Sequence, residues 1–433
     1  MTIATISGVR GVFNKDLMEE DLLRYSKGFA VVAASSEILL GRDTRSTGEL
    51  ISRLVKGALL ESGKNVMDYG VVSTPALFRE SRLKQKAAIM ITASHNEPEW
   101  NGLKFVLSGR GVLQAELDRI LKPPKKTAPV VGTPSARVAP RSSYDRDLVS
   151  MVGEGSCEGV KVAIDVNGGA AVMHAPAILK SLGCDLTILG ATPGVFSRTI
   201  DPTNDDLDLL VDTVKSKRCD VGFAFDCDGD RLVLVDGEGK KRTGDYMLTL
   251  AIKELLPGLQ SRSVVVSADT TEAVDEVVSQ MGGKTFRSKV GEANVISKMD
   301  EEHVDIGGEG SSGGLIDSRF NRCRDSMLAA ITILRAIKRR GPKIIDQAPS
   351  YTQIRMKVPL ERKKALAAIK KLQKESPGAD LLDGLKIGVS HRTWVLIRLS
   401  GTEDIVRVSA ESASAKEAQQ LAESYVARLK RFS

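Results

Sequence analysis

At 433 residues the chain is too long for one hydrophobic core and implies two to four domains. Its 42% hydrophobic content suits packed globular units, while 4% aromatics argues against a protein that stacks nucleic-acid bases. The formal net charge of +7 fits nucleic acid but also small phosphorylated substrates; the basic residues are spread along the chain, with small knots such as Lys338–Arg339–Arg340 that read as solvated surface.

Residues 1–143 alternate strand-like and helix-like segments. Ile38–Leu40 leads into Gly41–Arg42–Asp43–Thr44–Arg45. Glu49–Ser62 has amphipathic helical spacing closed by Gly63, and Asn65–Tyr69 and Ala87–Thr92 read as strands. Charged groups follow the strand ends, where open α/β sheets place ligands. After Ala87–Ile91 comes a polar stretch running to Lys104. It carries the Ser94 hydroxyl, the donors His95, Asn96 and Lys104, and Pro98 and Gly102 to fix its turn. Taken alone, such a stretch is equally a loop that only caps a helix.

Residues 122–143, rich in Pro, Lys, Ser and Thr, read as an exposed crossing. A second unit, 144–244, has strands at Val160–Val166 and Leu186–Leu189 around a helix ending at Leu182. Its strand Val221–Phe225 then runs into Asp226–Cys227–Asp228–Gly229–Asp230–Arg231 and a hairpin strand, Leu232–Val235. The third unit, 245–348, reads as a helix at Tyr246–Leu256, a strand at Ser263–Ser267 and a helix at Thr271–Met281. A strand at His303–Ile306 delivers the glycine-rich loop to Gly314, and a long helix follows at Arg324–Arg339. From 349 to 433, four strands and two helices no longer alternate one to one. The expected fold is three mixed α/β domains and a C-terminal α+β domain, with no repeat visible among the three.

Five cysteines (Cys157, Cys184, Cys219, Cys227 and Cys323) form an odd set without a C-x-x-C pair, against a disulfide framework or a zinc site. No N-terminal signal pattern and no apolar run near about 18 residues is present, so a cytoplasmic protein away from the membrane is expected.

Asp226, Asp228 and Asp230 sit at i, i+2 and i+4 after an apolar strand, and Gly229 permits a sharp turn. Three carboxylates can then converge on one hard cation, with Mg²⁺ favoured because it leaves room for phosphate oxygens. Arg231 adds a donor for an anion. Arg398–Leu399–Ser400–Gly401–Thr402–Glu403 can combine a guanidinium fork with an anion nest. Gly308–Gly314 carries Glu309, Ser311 and Ser312, which suits sugar hydroxyls. The G-x-S-x-G match within it is followed by an extended Gly314–Asp317, not by the helix a nucleophile elbow needs. Gly282–Gly283–Lys284–Thr285 has Val278 where a Walker A motif needs glycine. A serine loop, a cation loop, a sugar loop and a phosphate nest in four successive units point to phosphoryl transfer on a polar small molecule.

Taken together, T-A-S-H-N-x-P-x-x-N-G-x-K at 92–104, D-x-D-G-D-R at 226–231, G-E-G-S at 308–311 and R-x-S-G-T-E at 398–403 resemble the signatures of the α-D-phosphohexomutases. Ser7–Gly8–Val9–Arg10–Gly11 also resembles that family's N-terminal signature. The resemblance covers the whole chain. It implies four domains around a central cleft, the last shaped like the TATA-box-binding protein. It implies that a phosphorylated Ser94 exchanges its phosphoryl group with hexose 1- and 6-phosphates through a bisphosphate intermediate, with a hexose 1,6-bisphosphate as primer. Mg²⁺ would sit on Asp226, Asp228, Asp230 and Ser94. Arg10, Lys104 and Arg231 would lie by the reacting oxygens, with Lys104 or His95 carrying the proton. Glu309, Ser311, Lys289 and Glu292 would meet the sugar. Arg398, Ser400, Gly401, Thr402 and Arg407 would hold the phosphate that is not reacting. Partners are hexose phosphates, neither nucleic acid nor membrane, and a homo-oligomer is left open.

Three positions depart from patterns common in that family: Cys227 in place of Pro, Gly313 in place of His, and Glu292 in place of His. A carboxylate at 292 could pair with a 2-amino group, which favours glucosamine phosphate over mannose or glucose phosphate. A Mg²⁺-dependent phosphatase with an Asp nucleophile, or an inactive sugar-phosphate-binding protein, would draw on the same residues.

Overall fold

The computed structural model of the protein describes residues 2–123, 133–400 and 404–432. Its first sheet runs, edge to edge, through Ile3–Thr5, Gly8–Val12, Trp100–Leu107, Ala87–Ile91, Glu37–Arg42, Asn65–Val71 and Ala136–Val138, with Arg110–Gly111 paired to Trp100–Leu107. Ala87–Ile91 is buried at every position, as its unbroken apolar run requires of a strand covered on both faces. Ala136–Val138, in the segment expected to be a linker, pairs in parallel with Asn65–Val71 as an exposed edge strand.

The three α/β units share one topology that the sequence did not reveal. In the first, Glu37–Arg42 is flanked in parallel by Asn65–Val71 and Ala87–Ile91, and Trp100–Leu107 pairs antiparallel with the latter. In the second, Lys161–Asp165 lies between Asp185–Leu189 and Val221–Phe225, followed by antiparallel Leu232–Asp236. In the third, Val264–Ser267 lies between Thr285–Ser288 and Ile306–Glu309, followed by antiparallel Gly314–Asp317. The serine loop, the aspartate loop and the Glu309 loop are therefore the same hairpin connection, three times over. Each leaves the carboxyl end of a buried parallel strand.

Two sequence expectations are corrected here. The strand expected at His303–Ile306 lies at Ile306–Glu309, because an unforeseen helix, Glu292–Glu302, ends on His303 with φ of +54°. Gly307 and Gly308, expected in the loop, belong to that strand. A Cβ on Gly307 would meet Met299 Sδ at 2.6 Å and Val265 O at 2.7 Å, so close packing demands glycine. Likewise Gly102 is no turn residue. It lies in Trp100–Leu107, and a Cβ there would meet Val9 O at 2.1 Å on the neighbouring strand.

The largest apolar cluster is continuous across the first three units, joining Met90 and Phe78 to Ile164 and Phe223 and to Leu248 and Ile333. Helix Ser326–Arg340 runs through it, buried on nearly all sides, as expected of a helix with little polar face. Asp325 caps its N-terminus by accepting from Leu328 N, and Lys338, Arg339 and Arg340 complement the dipole in its last turn. That basic knot is tied down: Lys338 donates to Glu158 O, and Arg339 and Arg340 pair with Glu254.

The fourth unit is an antiparallel sheet ordered Thr352–Pro359, Ile405–Ser412, Thr393–Leu399, Leu385–Ser390, backed by helices Arg362–Glu375 and Ala415–Lys430. Its apolar core, including Val358, Leu385, Val408 and Leu429, is a cluster of its own. Polar contacts carry much of its junction with the third unit. Glu411 accepts from Glu272 N, Gln353 and Trp394, and Arg355 pairs with Asp245 at 2.8 Å. The five cysteines are all free thiols.

Candidate active site

Ser94 is 1% exposed and sits three residues beyond a buried strand, with φ of +52°. A left-handed serine costs about 1–2 kcal/mol, so its surroundings must impose the turn. They do so through Thr92, whose Oγ1 accepts from Ser94 N at 2.8 Å, and through Arg45. The Arg45 guanidinium, fully buried, donates to Ser94 O at 2.7 Å, Asn96 O at 2.6 Å and Trp100 O at 3.0 Å, and also to Glu97 O. Asp43 neutralises Arg45 at 3.1 Å and accepts from Thr92 Oγ1 at 2.6 Å. The sequence showed Asp43 and Arg45 only as charges at a strand end. Pairing of Glu37–Arg42 with Ala87–Ile91 is what brings them under the serine loop.

Opposite Ser94 stands the aspartate loop. Asp226, Asp228 and Asp230 are all buried, and one oxygen from each lies within 4.8 Å of the others. Asp226 Oδ1 accepts from Asp230 N and Arg231 N, which folds the loop, and its Oδ2 accepts from Ser94 Oγ at 3.2 Å. Asp228 Oδ2 is held by Thr74 Oγ1 at 2.5 Å and Lys104 Nζ at 2.6 Å. Asp230 Oδ2 is held by Lys104 Nζ and Arg324 Nη2, both at 2.8 Å. The remaining oxygens, Asp228 Oδ1 and Asp230 Oδ1, are buried without a hydrogen-bond partner. Buried acceptors without partners are costly, and a hard cation satisfies them. Burial and the charges of Asp230 and Asp228 push Asp226 well above the usual carboxylate range. Burial also opposes charge on Asp230, but Arg324, Lys104 and Arg231 together hold it well below that range. These residues could hold a divalent cation.

Lys104 is not in a loop. It projects from Trp100–Leu107, and Asp228 and Asp230 raise its pKa against the effect of burial. Arg10 Nη1 donates to Asn96 Oδ1 at 3.0 Å, and burial lowers its pKa to about 10. Burial, Arg231 and Arg10 push His95 well below its ordinary value, so the ring is neutral at pH 7 and its buried Nδ1 has no partner. Arg231 pairs with Asp201 at 2.8 Å.

In the third unit Glu309 Oε1 accepts from Gly291 N at 2.7 Å and Oε2 from Arg324 Nη1 at 3.2 Å. Glu292 begins the helix after Gly291. Its Oε2 accepts from Arg324 N at 2.8 Å. Ser311 is half-buried on a short turn, Ser312 donates to Glu309 O, and Lys289 is exposed. Arg324, which the sequence offered only as a helix end, thus faces both the aspartate loop and the sugar loop. A charged residue directly before the capping Asp325 was the available signal. Lys104, Glu292, Arg324 and Ser7 line one narrow recess.

In the fourth unit Arg398 pairs with Asp383 at 3.4 Å, and Asp383 also accepts from Val290 N at 3.0 Å. Arg407 lies directly across the ladder from Arg398, and Ser400 N donates to Ile405 O. Gly401 and Thr402 lie outside the described residues.

Three hairpin loops of one topology, converging on a buried serine, a carboxylate triad and several cations, define a four-domain α/β enzyme suited to phosphoryl transfer. The chain belongs to the phosphoglucomutase/phosphomannomutase family, whose members are mutases of the isomerase class. Its residues 2–128, 147–239 and 243–353 match that family's alpha/beta/alpha domains I, II and III, and 355–428 match its C-terminal domain. A probable phosphoglucosamine mutase of Thermococcus gammatolerans is 32% identical, covering 96% of each chain. A phosphoglucomutase/phosphomannomutase family protein of Burkholderia thailandensis superposes with a TM-score of 0.86 at 24% identity, over 99% of this chain and 98% of that one. The Aspergillus fumigatus N-acetylphosphoglucosamine mutase, solved with GlcNAc-6P and magnesium, has a TM-score of 0.58 at 16% identity, over 91% and 82% of the chains. Among the described residues no helix is long and apolar enough to cross a membrane.

Proposed function

We propose that the protein interconverts hexose 6-phosphates and hexose 1-phosphates, with glucosamine phosphate preferred, by passing a phosphoryl group through Ser94. The observation that carries this is the 3.2 Å hydrogen bond between Ser94 Oγ and Asp226 Oδ2, beside two carboxylate oxygens that have no partner. Mg²⁺ on Asp226, Asp228 and Asp230 would neutralise charge on the transferring phosphoryl group.

The chain's own residues do the rest. Arg45 and Thr92 hold the Ser94 turn, so the phosphoryl group on Oγ is fixed in position. A sugar hydroxyl attacks phosphorus, the P–O bond to Ser94 breaks, and the hydroxyl proton passes to a base. His95, neutral at pH 7, can accept it, whereas Lys104 stays charged and serves as an electrostatic anchor. The bisphosphate then turns over and returns its other phosphoryl group to Ser94, and a hexose 1,6-bisphosphate primes the cycle. Arg10 and Arg231 steady the reacting phosphoryl oxygens. Glu309, with Ser311 and Lys289, orients the sugar hydroxyls. Arg398, Ser400, Gly401, Thr402 and Arg407 receive the phosphate at the far end. Four functional units, with boundaries near 143, 244 and 348, supply these parts.

Two features favour an amino sugar. Glu292 lines the recess shared with Lys104 and Arg324, where a carboxylate favours a cationic 2-amino group. The relative at 32% identity is named a probable phosphoglucosamine mutase. The test is turnover of glucosamine, mannose and glucose phosphates with Mg²⁺ and primer, for wild type and Glu292→Gln. An unchanged preference in the variant sinks the role of Glu292, and free phosphate release that survives Ser94→Ala replaces the mutase with a phosphatase.

A further inference from the structure

The guanidinium of Arg324 stands between loops of two different units. Its Nη2 donates to Asp230 Oδ2 at 2.8 Å and its Nη1 to Glu309 Oε2 at 3.2 Å. Glu292 Oε2 faces its Nε at 3.4 Å. The side chain is 11% exposed, so water and salt screen these pairings little. Asp230 and Glu309 each use one oxygen on Arg324 and leave the other free of it. Asp230 Oδ1 has no partner, and Glu309 Oε1 accepts from Gly291 N.

We propose that Arg324 is a positioning residue that couples the aspartate loop to the sugar loop, so that the state of Glu309 sets the affinity of the aspartate triad for a divalent cation. This rests on the reading of Asp226, Asp228 and Asp230 as a cation site.

The guanidinium is planar and rigid, and its two terminal nitrogens serve different carboxylates. It cannot lean toward one without weakening its bond to the other. When Glu309 is charged and in place, Arg324 is shared three ways and Asp230 keeps more of its negative charge for a cation. When Glu309 is neutralised or drawn toward a ligand, Arg324 turns to Asp230, and its positive charge opposes the cation. The effect is reciprocal, because a coupling free energy belongs to both sites. A lysine at this position keeps the charge but, as a single point, cannot span Asp230 and Glu309.

The experiment uses Mn²⁺ as probe, titrated by electron paramagnetic resonance on the full chain without any sugar, so turnover plays no part. In the wild-type background Glu309→Gln is expected to weaken Mn²⁺ binding about fivefold, although Glu309 does not touch the triad. In the Arg324→Lys and Arg324→Met backgrounds the same substitution is expected to change it by less than about twofold. Arg324→Lys keeps the charge balance of a buried cluster if Arg324→Met does not fold, and melting temperatures establish that each protein compared is folded. A Glu309→Gln effect of equal size in every background, or none in wild type, overturns the coupling alone. A wild-type protein that binds no Mn²⁺ overturns the cation site, and the coupling with it.

Discussion

Ser94 Oγ donates to Asp226 Oδ2 across 3.2 Å, although 132 residues separate the two in the chain. The contact joins two copies of one hairpin connection, in the first and second units. Thr74 tightens the same junction. Its N donates to Asp228 O at 2.8 Å and its Oγ1 to Asp228 Oδ2 at 2.5 Å, from the first turn of helix Thr74–Lys84. The aspartate loop is also tied to the third unit, where Ser326 Oγ donates to Gly229 O at 2.5 Å.

Thr74 therefore orients a carboxylate of the triad without belonging to it. Thr74→Val preserves shape and removes the hydroxyl. Divalent-cation affinity, read by Mn²⁺ titration, is expected to fall about 10–100-fold. Thr74→Ser should recover most of it. Equal affinity in Thr74→Val and wild type would show that the helix amide alone suffices.

Arg45 satisfies several carbonyls of the serine loop and one buried carboxylate, Asp43. Arg45→Met leaves Asp43 charged and unpaired in the interior. The expected loss of stability is about 3–5 kcal/mol in urea unfolding. Arg45→Lys should not restore it, since one ammonium cannot reach carbonyls on several sides. A variant as stable as wild type would contradict the assignment.

Lys386 reports on the junction between the third and fourth units. Its ammonium lies 4.1 Å from the Trp394 ring centre, and burial together with Arg287 pushes its pKa down to about 8 from 10.5. Between those values the unfolded chain binds the proton and the folded protein does not. Stability therefore rises with pH across that window, and below about 8 both states are charged and the term is constant. The stability of wild type relative to Lys386→Met should increase by about 2–3 kcal/mol from pH 8 to pH 10.5. A difference that stays flat over that range would place Lys386 in water.

Ser94→Ala tests the carrier itself. Turnover should fall at least about 10³-fold, and any phosphate adduct in the intact mass of the purified protein should vanish. An adduct that persists would move the phosphorylation elsewhere.

Much of this site was legible because its residues cluster in short runs. Ser94 to Lys104, Asp226 to Arg231 and Arg398 to Ser400 each hold several functional groups within a few positions. Strands with unbroken apolar runs, such as Val221–Phe225, were legible for the same local reason. The glycine strand Ile306–Glu309 was not, since its glycines answer to Met299 and Val265 from other elements. Lys104 reads as a loop residue in the sequence because the polar residues before it mask the start of a strand that pairs with Gly8–Val12. Helix Glu292–Glu302 carries no start signal in the sequence, because Gly291, with φ of +120°, begins it without a side-chain cap.

The amino-acid sequence by itself determined the chemistry on offer: a serine, three carboxylates, a glutamate and an arginine, in an order that marks the family. Local spacing suffices for that, since neighbours in the chain stay neighbours in space. Only the tertiary structure decided that three of the loops are one hairpin repeated, and that Asp226 faces Ser94. It alone also placed Arg45 beneath the serine and Arg324 between Asp230 and Glu309. Those relations arise from sheet order and from a core shared by three units. Both are set by burial summed over residues far apart in the chain, which no short run of sequence records.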